Sequence, residues 1–83
     1  MNKQPIIKDT VLGILATIAP DADLSTLQPK VSFRDQLDID SIDFLCLMMA
    51  LEKSLKVTIL DIDYPKLSTL QGCVDYLAEQ SHY

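Results

Sequence analysis

Histidine occurs once in these 83 residues, cysteine and glycine twice each, and proline four times. Basic residues number seven against twelve acids, for a formal charge of -5. Each scarcity excludes something. With so little Gly and Pro, and with 48% of residues apolar, the composition is neither disordered nor low-complexity, and one folded domain over 1–83 is expected. A chain this short buries only about 60% of the surface its unfolded form exposes, so the core must be small. Cys46 and Cys73 are too few and too far apart for a disulfide framework or zinc site, and reduced thiols are expected. A shortage of Lys and Arg argues against nucleic acid or an anionic membrane and leaves basic proteins as partners. No apolar run approaches the roughly 18 residues of a membrane span, and the N-terminus lacks the pattern of a signal peptide. The expectation is a cytoplasmic monomer without stable membrane insertion. The lone His82 lies in a polar tail, so no Ser-His-Asp triad can be assembled and catalysis is not expected.

The chain reads as helices around one irregular stretch. Ile7, Val11, Ile14 and Ile18 recur at the spacing of one helix face, between Pro5 at a first-turn position and Pro20, which cannot continue a helix. From Asp21 to Ile39 polar residues are interrupted by isolated Leu24, Leu27, Val31, Phe33 and Leu37. This predicts a long loop pinned by apolar anchors, and loops of that length usually carry function.

Asp40 then suits an N-cap, with Asp43 favouring the positive end of the helix and Ser41 in its first turn. The eight-residue run from Phe44 to Leu51 is too apolar for one buried stripe. If Phe44, Leu45, Met48, Leu51 and Leu55 face the core, Ile42, Cys46, Met49 and Lys53 form a second, exposed row, which fits docking better than core. Beyond a β-favouring VTIL run, Pro65 limits a third helix to about one or two turns near Asp61–Lys66. Ser68 or Thr69 could cap a fourth whose inner face is Leu70, Cys73, Val74 and Leu77. The expected fold is all-α: a small up-and-down bundle of three main helices plus one short helix, with Leu45, Met48, Leu51, Ile59, Leu67 and Tyr76 in the core.

The string SFRDQLDIDSIDFLCLMMALEKSLKVTI, followed by IDYPKLSTLQGCVDYLAE, resembles the acyl carrier protein family. There an apolar-anchored loop ends in a Leu-Gly-x-Asp-Ser-Leu motif that opens helix two, and Asp40-Ser41-Ile42 matches its core. The resemblance covers essentially the whole chain. It implies that a phosphopantetheinyl transferase joins 4′-phosphopantetheine from coenzyme A to Ser41, flanked by Asp40 and Ile42, and that the arm's thiol carries acyl groups between acyl-loading and synthase enzymes. It also implies docking through Ile42, Asp43, Cys46 and Met49, and an acyl pocket among Phe33, Met48, Ile59, Tyr64, Leu67 and Cys73.

Plainer readings stand beside these. Ser41 could be only a capping hydroxyl, in which case the chain is an unmodified helical adaptor. An aminoacyl or peptidyl carrier of a non-ribosomal pathway would share the same serine. Asp35, Asp38, Asp40 and Asp43 lack the Gly and Glu of a calcium loop, so a metal is not expected, and a partner-steering role is preferred to a merely solvated face. Three departures from the family pattern bear on function. Asp38 stands where the pattern has Gly, a position expected to favour positive φ. Cys46 and Lys53 replace acids along helix two, which predicts weaker steering and a specialised lipid or polyketide-type pathway rather than housekeeping fatty-acid synthesis. Tyr64 replaces a small residue at the pocket mouth; an inward ring would leave room only for short, polar or unsequestered cargo.

Overall fold

The computed structural model describes residues 4–80, and their side chains from residue 6; the tail residue His82 lies outside them. The described residues contain no strand. Helix α1 (Gln4–Ile18) is followed by a 3-10 turn (Leu24–Thr26), a one-turn helix α2 (Phe33–Gln36), helix α3 (Ser41–Leu55), a 3-10 helix (Asp61–Leu67) and helix α4 (Leu70–Gln80). Helix α1 packs against both α3 and α4, and α4 also packs against the 3-10 helix. The expected three main helices plus one short helix are therefore present.

Helix α1 buries Ile7, Val11 and Leu15, while Ile14 and Ile18 are only half-buried. Its inner stripe thus steps by four residues and takes in Leu15, which the expected face omitted. Helix α3 buries Leu47, Met48, Leu51 and Leu55. Leu45, expected in the core, is 43% exposed. At about 100° per residue Leu45 lies about 100° from the centre of that stripe, whereas Leu47 lies only about 55° from it. Phe44 points along the stripe but sits where α3 runs past the core, and is half-buried. Tyr76, also expected in the core, is half-buried because its hydroxyl reaches out to donate to Asp63 Oδ2 at 2.8 Å.

The polar connections have their own fastenings. The N–H of Lys56, with φ 56° and ψ 45°, donates to Glu52 O and ends α3 in the left-handed conformation usually given to glycine. Glu52 then holds the VTIL segment: its carbonyl accepts from Val57 N–H at 3.2 Å and its carboxylate from Ile59 N–H at 3.2 Å. The segment has no regular secondary structure, yet it buries Ile59. Thr69 caps α4, its Oγ1 accepting from Gly72 N–H at 2.9 Å.

The stretch from Asp21 to Ile39 is more ordered than a loop pinned by apolar anchors. Phe33, Leu37 and Ile39 are buried, but Leu24, Leu27 and Val31 are only half-buried. Side-chain amide bonds supply the rest. Gln36 Nε2 donates to Gln28 O at 2.8 Å and Val31 O at 2.9 Å, and its Oε1 accepts from Gln28 N–H at 2.9 Å. Two backbone bonds tie the stretch to distant elements, Phe33 N–H to Ser68 O at 2.8 Å and Gln71 N–H to Pro29 O at 2.9 Å. Asp38 does not adopt the positive φ expected of it, since Lys56 is the one described non-glycine residue with φ above zero. The approach to α3 runs through ordinary L-residue conformations, so Asp in place of Gly costs no left-handed strain.

Candidate functional site

Helix α3 begins in a reciprocal capping box. Asp40 Oδ1 accepts from Asp43 N–H at 2.9 Å, and Asp43 Oδ2 accepts from Asp40 N–H at 3.3 Å. The helix therefore starts at Ser41 and nowhere else, because its third-position donor is already satisfied by a side chain. Ser41 is exposed on the first turn, and its hydroxyl has no hydrogen-bond partner among the described residues. The N–H groups of Ser41 and Ile42 are likewise unpaired there, as first-turn donors are.

The exposed row follows from the same helix phase. Ile42 is 70% and Met49 59% exposed, and Cys46 and Lys53 are exposed with them. Along α3 and its C-terminal cap, Asp43 and Glu52 are offset in number by Lys53 and Lys56. The exposed row is consequently apolar, while the Asp40 and Asp43 carboxylates stand at the Ser41 end of α3 and Lys53 and Lys56 at its other end.

On the other side of Ser41 lies an open groove of about 430 Å³ between α2, α3 and the 3-10 helix. Phe44, Leu45, Tyr64 and Pro65 form its apolar wall, and Ser32, Arg34 and Ser68 line it with Ser41. Phe44 and Tyr64 meet edge to face, with ring centroids 6.1 Å apart and planes at 78°. Of the six residues assigned from resemblance to an acyl pocket, only Tyr64 lines this groove. Phe33, Met48, Leu67 and Cys73 are fully buried and Ile59 nearly so, all within the core. The Cys73 thiol donates to Leu67 O at 3.2 Å, and burial pushes it up to about 12. Leu45 and Phe44, which sequence reasoning placed in the core, are instead groove residues. Arg34 and Gln36 were not singled out at all, since no periodicity marks residues of a single helical turn.

The wall carrying Tyr64 is braced from behind. Tyr76 donates to Asp63, and Lys66 Nζ lies 3.3 Å from Asp63 Oδ1. The Tyr76 hydrogen bond, with help from Lys66, holds the Asp63 carboxyl below the usual carboxylate range. Desolvation and the adjacent carboxylate push the Tyr76 phenol up. Among the described residues no three His, Cys, Asp or Glu side chains come together as a metal-binding group, and no helix is long and apolar enough to cross a membrane.

Residues 9–77 match the family described as the phosphopantetheine attachment site. The chain is 39% identical to the acyl carrier protein of Rubrobacter xylanophilus over 75 residues, which cover 87% of this chain and 93% of that one. It is 35% identical to that of Petrotoga mobilis over 80 residues, 96% and 92% of the two chains. A solved structure of the acyl carrier protein from Enterococcus faecalis superposes with a TM-score of 0.76, over 98% of this chain and 100% of that one, at 23% identity, which is a likeness of fold. These matches define a helical phosphopantetheine-bearing carrier module. The chain belongs to the acyl carrier protein family. It is accordingly a carrier and not an enzyme, it takes a covalent 4′-phosphopantetheine, and it works with transferase and synthase enzymes.

Proposed function

We propose that Ser41 is the residue that carries the arm, with Asp40 and Ile42 flanking it, and that residues 1–83 act as one carrier domain in the cytoplasm. The observation that carries this reading is the free Ser41 hydroxyl on the first turn of α3, fixed there by the Asp40–Asp43 capping box. A phosphodiester at that position lies beside unpaired N–H groups and the positive end of the helix dipole, so these residues fit the group. Its terminal thiol supplies thioester chemistry when the arm is bound. The chain's own residues present and orient. Among the described residues no side chain accepts from the Ser41 hydroxyl, so the transferase must supply whatever deprotonates it.

Enzymes dock on Ile42, Asp43, Cys46 and Met49 in this reading. With charges on α3 nearly balanced, apolar contact rather than long-range steering would select them, which suits dedicated enzymes of a specialised lipid or polyketide-type pathway. The inward residues Phe33, Met48, Ile59, Leu67 and Cys73 are tightly packed, and Tyr64 stands against Phe44 at the groove wall. Short or polar cargo resting against the groove therefore fits better than a long chain drawn into the core. Intact mass after incubation with coenzyme A and a broad-specificity transferase tests the assignment. A phosphopantetheine gain in the wild type and none in Ser41→Ala is expected; a gain that survives Ser41→Ala would refute it.

A further inference from the structure

The groove beside Ser41 is apolar along one wall and hydroxyl-lined along the other, and Arg34 is its one charged lining residue. We propose that Arg34 binds the phosphodiester on Ser41 and so fixes the root of the arm at the mouth of the Phe44–Tyr64 groove. This rests on Ser41 being the attachment residue.

Four observations lead there. Ser41 and Arg34 line the same groove, so a phosphodiester bonded to Ser41 Oγ borders a cavity that Arg34 also borders. Attraction between opposite charges across such an open groove is weakened by salt but not abolished at physiological ionic strength, where the Debye length is ~8 Å. Next, the first turn of α3 already holds the carboxylates of Asp40 and Asp43 in its capping box. A further anion there is repelled by both, and a cation in the groove offsets that repulsion. Third, Arg34 is free to do so: the ion pair among the described residues is Lys66 with Asp63, not one made by Arg34. Its backbone is also anchored, because Ser32 Oγ accepts from Arg34 N–H at 3.3 Å, Phe33 N–H is tied to Ser68 O, and Gln36 fastens the end of the same turn. Guanidinium presents a planar pair of donors that matches two phosphate oxygens, which an ammonium cannot do.

A carboxylate on the cargo is the competing anion. It sits at the far end of a long flexible arm and must fold back to reach Arg34, whereas the phosphodiester is held in the groove by its bond to Ser41.

The test uses the ¹⁵N-labelled full chain before and after conversion to the holo form, with conversion checked by intact mass. The Arg34 Nε–Hε signal should shift on conversion of the wild type. The ³¹P resonance of holo protein should differ between wild type and Arg34→Ala, with Arg34→Lys between them. That difference should shrink from about 0.1 M to about 1 M salt, as the Debye length falls from ~10 Å to ~3 Å. Full mass gain with an unmoved Arg34 signal would overturn the proposal and leave the Ser41 reading intact. A shift seen only when the arm carries a succinyl group, and neither in the bare holo protein nor with a butyryl group, would overturn it in favour of a cargo carboxylate. No mass gain under conditions that modify a control carrier would sink the Ser41 reading and the proposal with it.

Discussion

Alanine should be harmful at Gly72 and helpful at Gly13, although both positions are inside helices. A Cβ built at Gly72 would lie 2.1 Å from Lys66 O and 3.0 Å from Thr69 Oγ1, whereas one at Gly13 meets nothing within 4 Å. Restoring even 3.0 Å to the Lys66 carbonyl means separating α4 from the 3-10 helix by about 0.9 Å. The obstacle is backbone and cannot swing aside. Overpacking of this kind costs about 1–3 kcal/mol, and a rigid carbonyl puts it near the upper end. Better helix propensity returns about 1 kcal/mol. A net loss of about 2 kcal/mol remains, which for a domain of this size lowers Tm by about 8–16 °C. Gly13→Ala keeps the propensity gain alone and should raise Tm by about 4–8 °C. Thermal unfolding of the two apo variants by circular dichroism decides the matter. A Gly72→Ala protein as stable as wild type would refute the close approach of α4 to the 3-10 helix, and with it the bracing of the groove wall that carries Tyr64.

In the apo protein a disulfide reagent such as DTNB should consume one thiol per chain quickly, Cys46, and the second only in denaturant, because Cys73 is buried and its thiol is raised to about 12. Two fast thiols would contradict the packing of α4. The Asp63–Tyr76 pair sets a pH dependence at each end. The Asp63 carboxyl is depressed below its ordinary 3.8, so its contribution is present above that value and is lost as pH falls through the folded one. The Tyr76 phenol is raised above 10, so its contribution is present below 10 and is lost as pH climbs past its folded value. Tyr76→Phe should flatten both limbs of a Tm-against-pH curve, and an unchanged curve would sink the assignment. Replacing Ile42 and Met49 together with Asp should leave the circular dichroism spectrum intact while weakening transferase or synthase binding by about 1–3 kcal/mol, about 5- to 150-fold. Unfolding of that variant would place both residues in the core, and unaltered affinity would remove them from the docking surface.

Much of this was legible in the residues themselves. Asp40 and Asp43 three apart specify where α3 starts, because a capping box is a local device that needs no distant partner. The exposed row of Ile42, Cys46, Met49 and Lys53 follows from helical phase alone once that start is known. A cap for α4 at Ser68 or Thr69, of which Thr69 serves, and the short helix around Pro65 are equally local.

The errors fell where a residue's neighbours come from elsewhere in the chain. Leu45 and Tyr76 have apolar bodies at helical spacing, and nothing in that spacing says that one lies beside an open groove or that the other finds Asp63 thirteen positions away. Gln36 looks like any polar loop residue, yet its amide organises the segment from Gln28 to Gln36 by meeting backbone groups that only a folded loop brings within reach. Asp38 shows the same limit in reverse: a backbone angle expected by analogy with glycine was never needed, since the chain reaches α3 by another path. The sequence by itself determined the three long helices, the short one around Pro65 and the start of α3 at Ser41, because these depend on contacts within about four residues, whereas α2 and the turn at Leu24–Thr26 did not show in it. Tertiary structure alone decided that α2 and the 3-10 helix face each other across a groove, and so brought Arg34, Phe44 and Tyr64 beside that serine: their juxtaposition depends on bonds such as Phe33 N–H to Ser68 O, which join segments far apart in the chain.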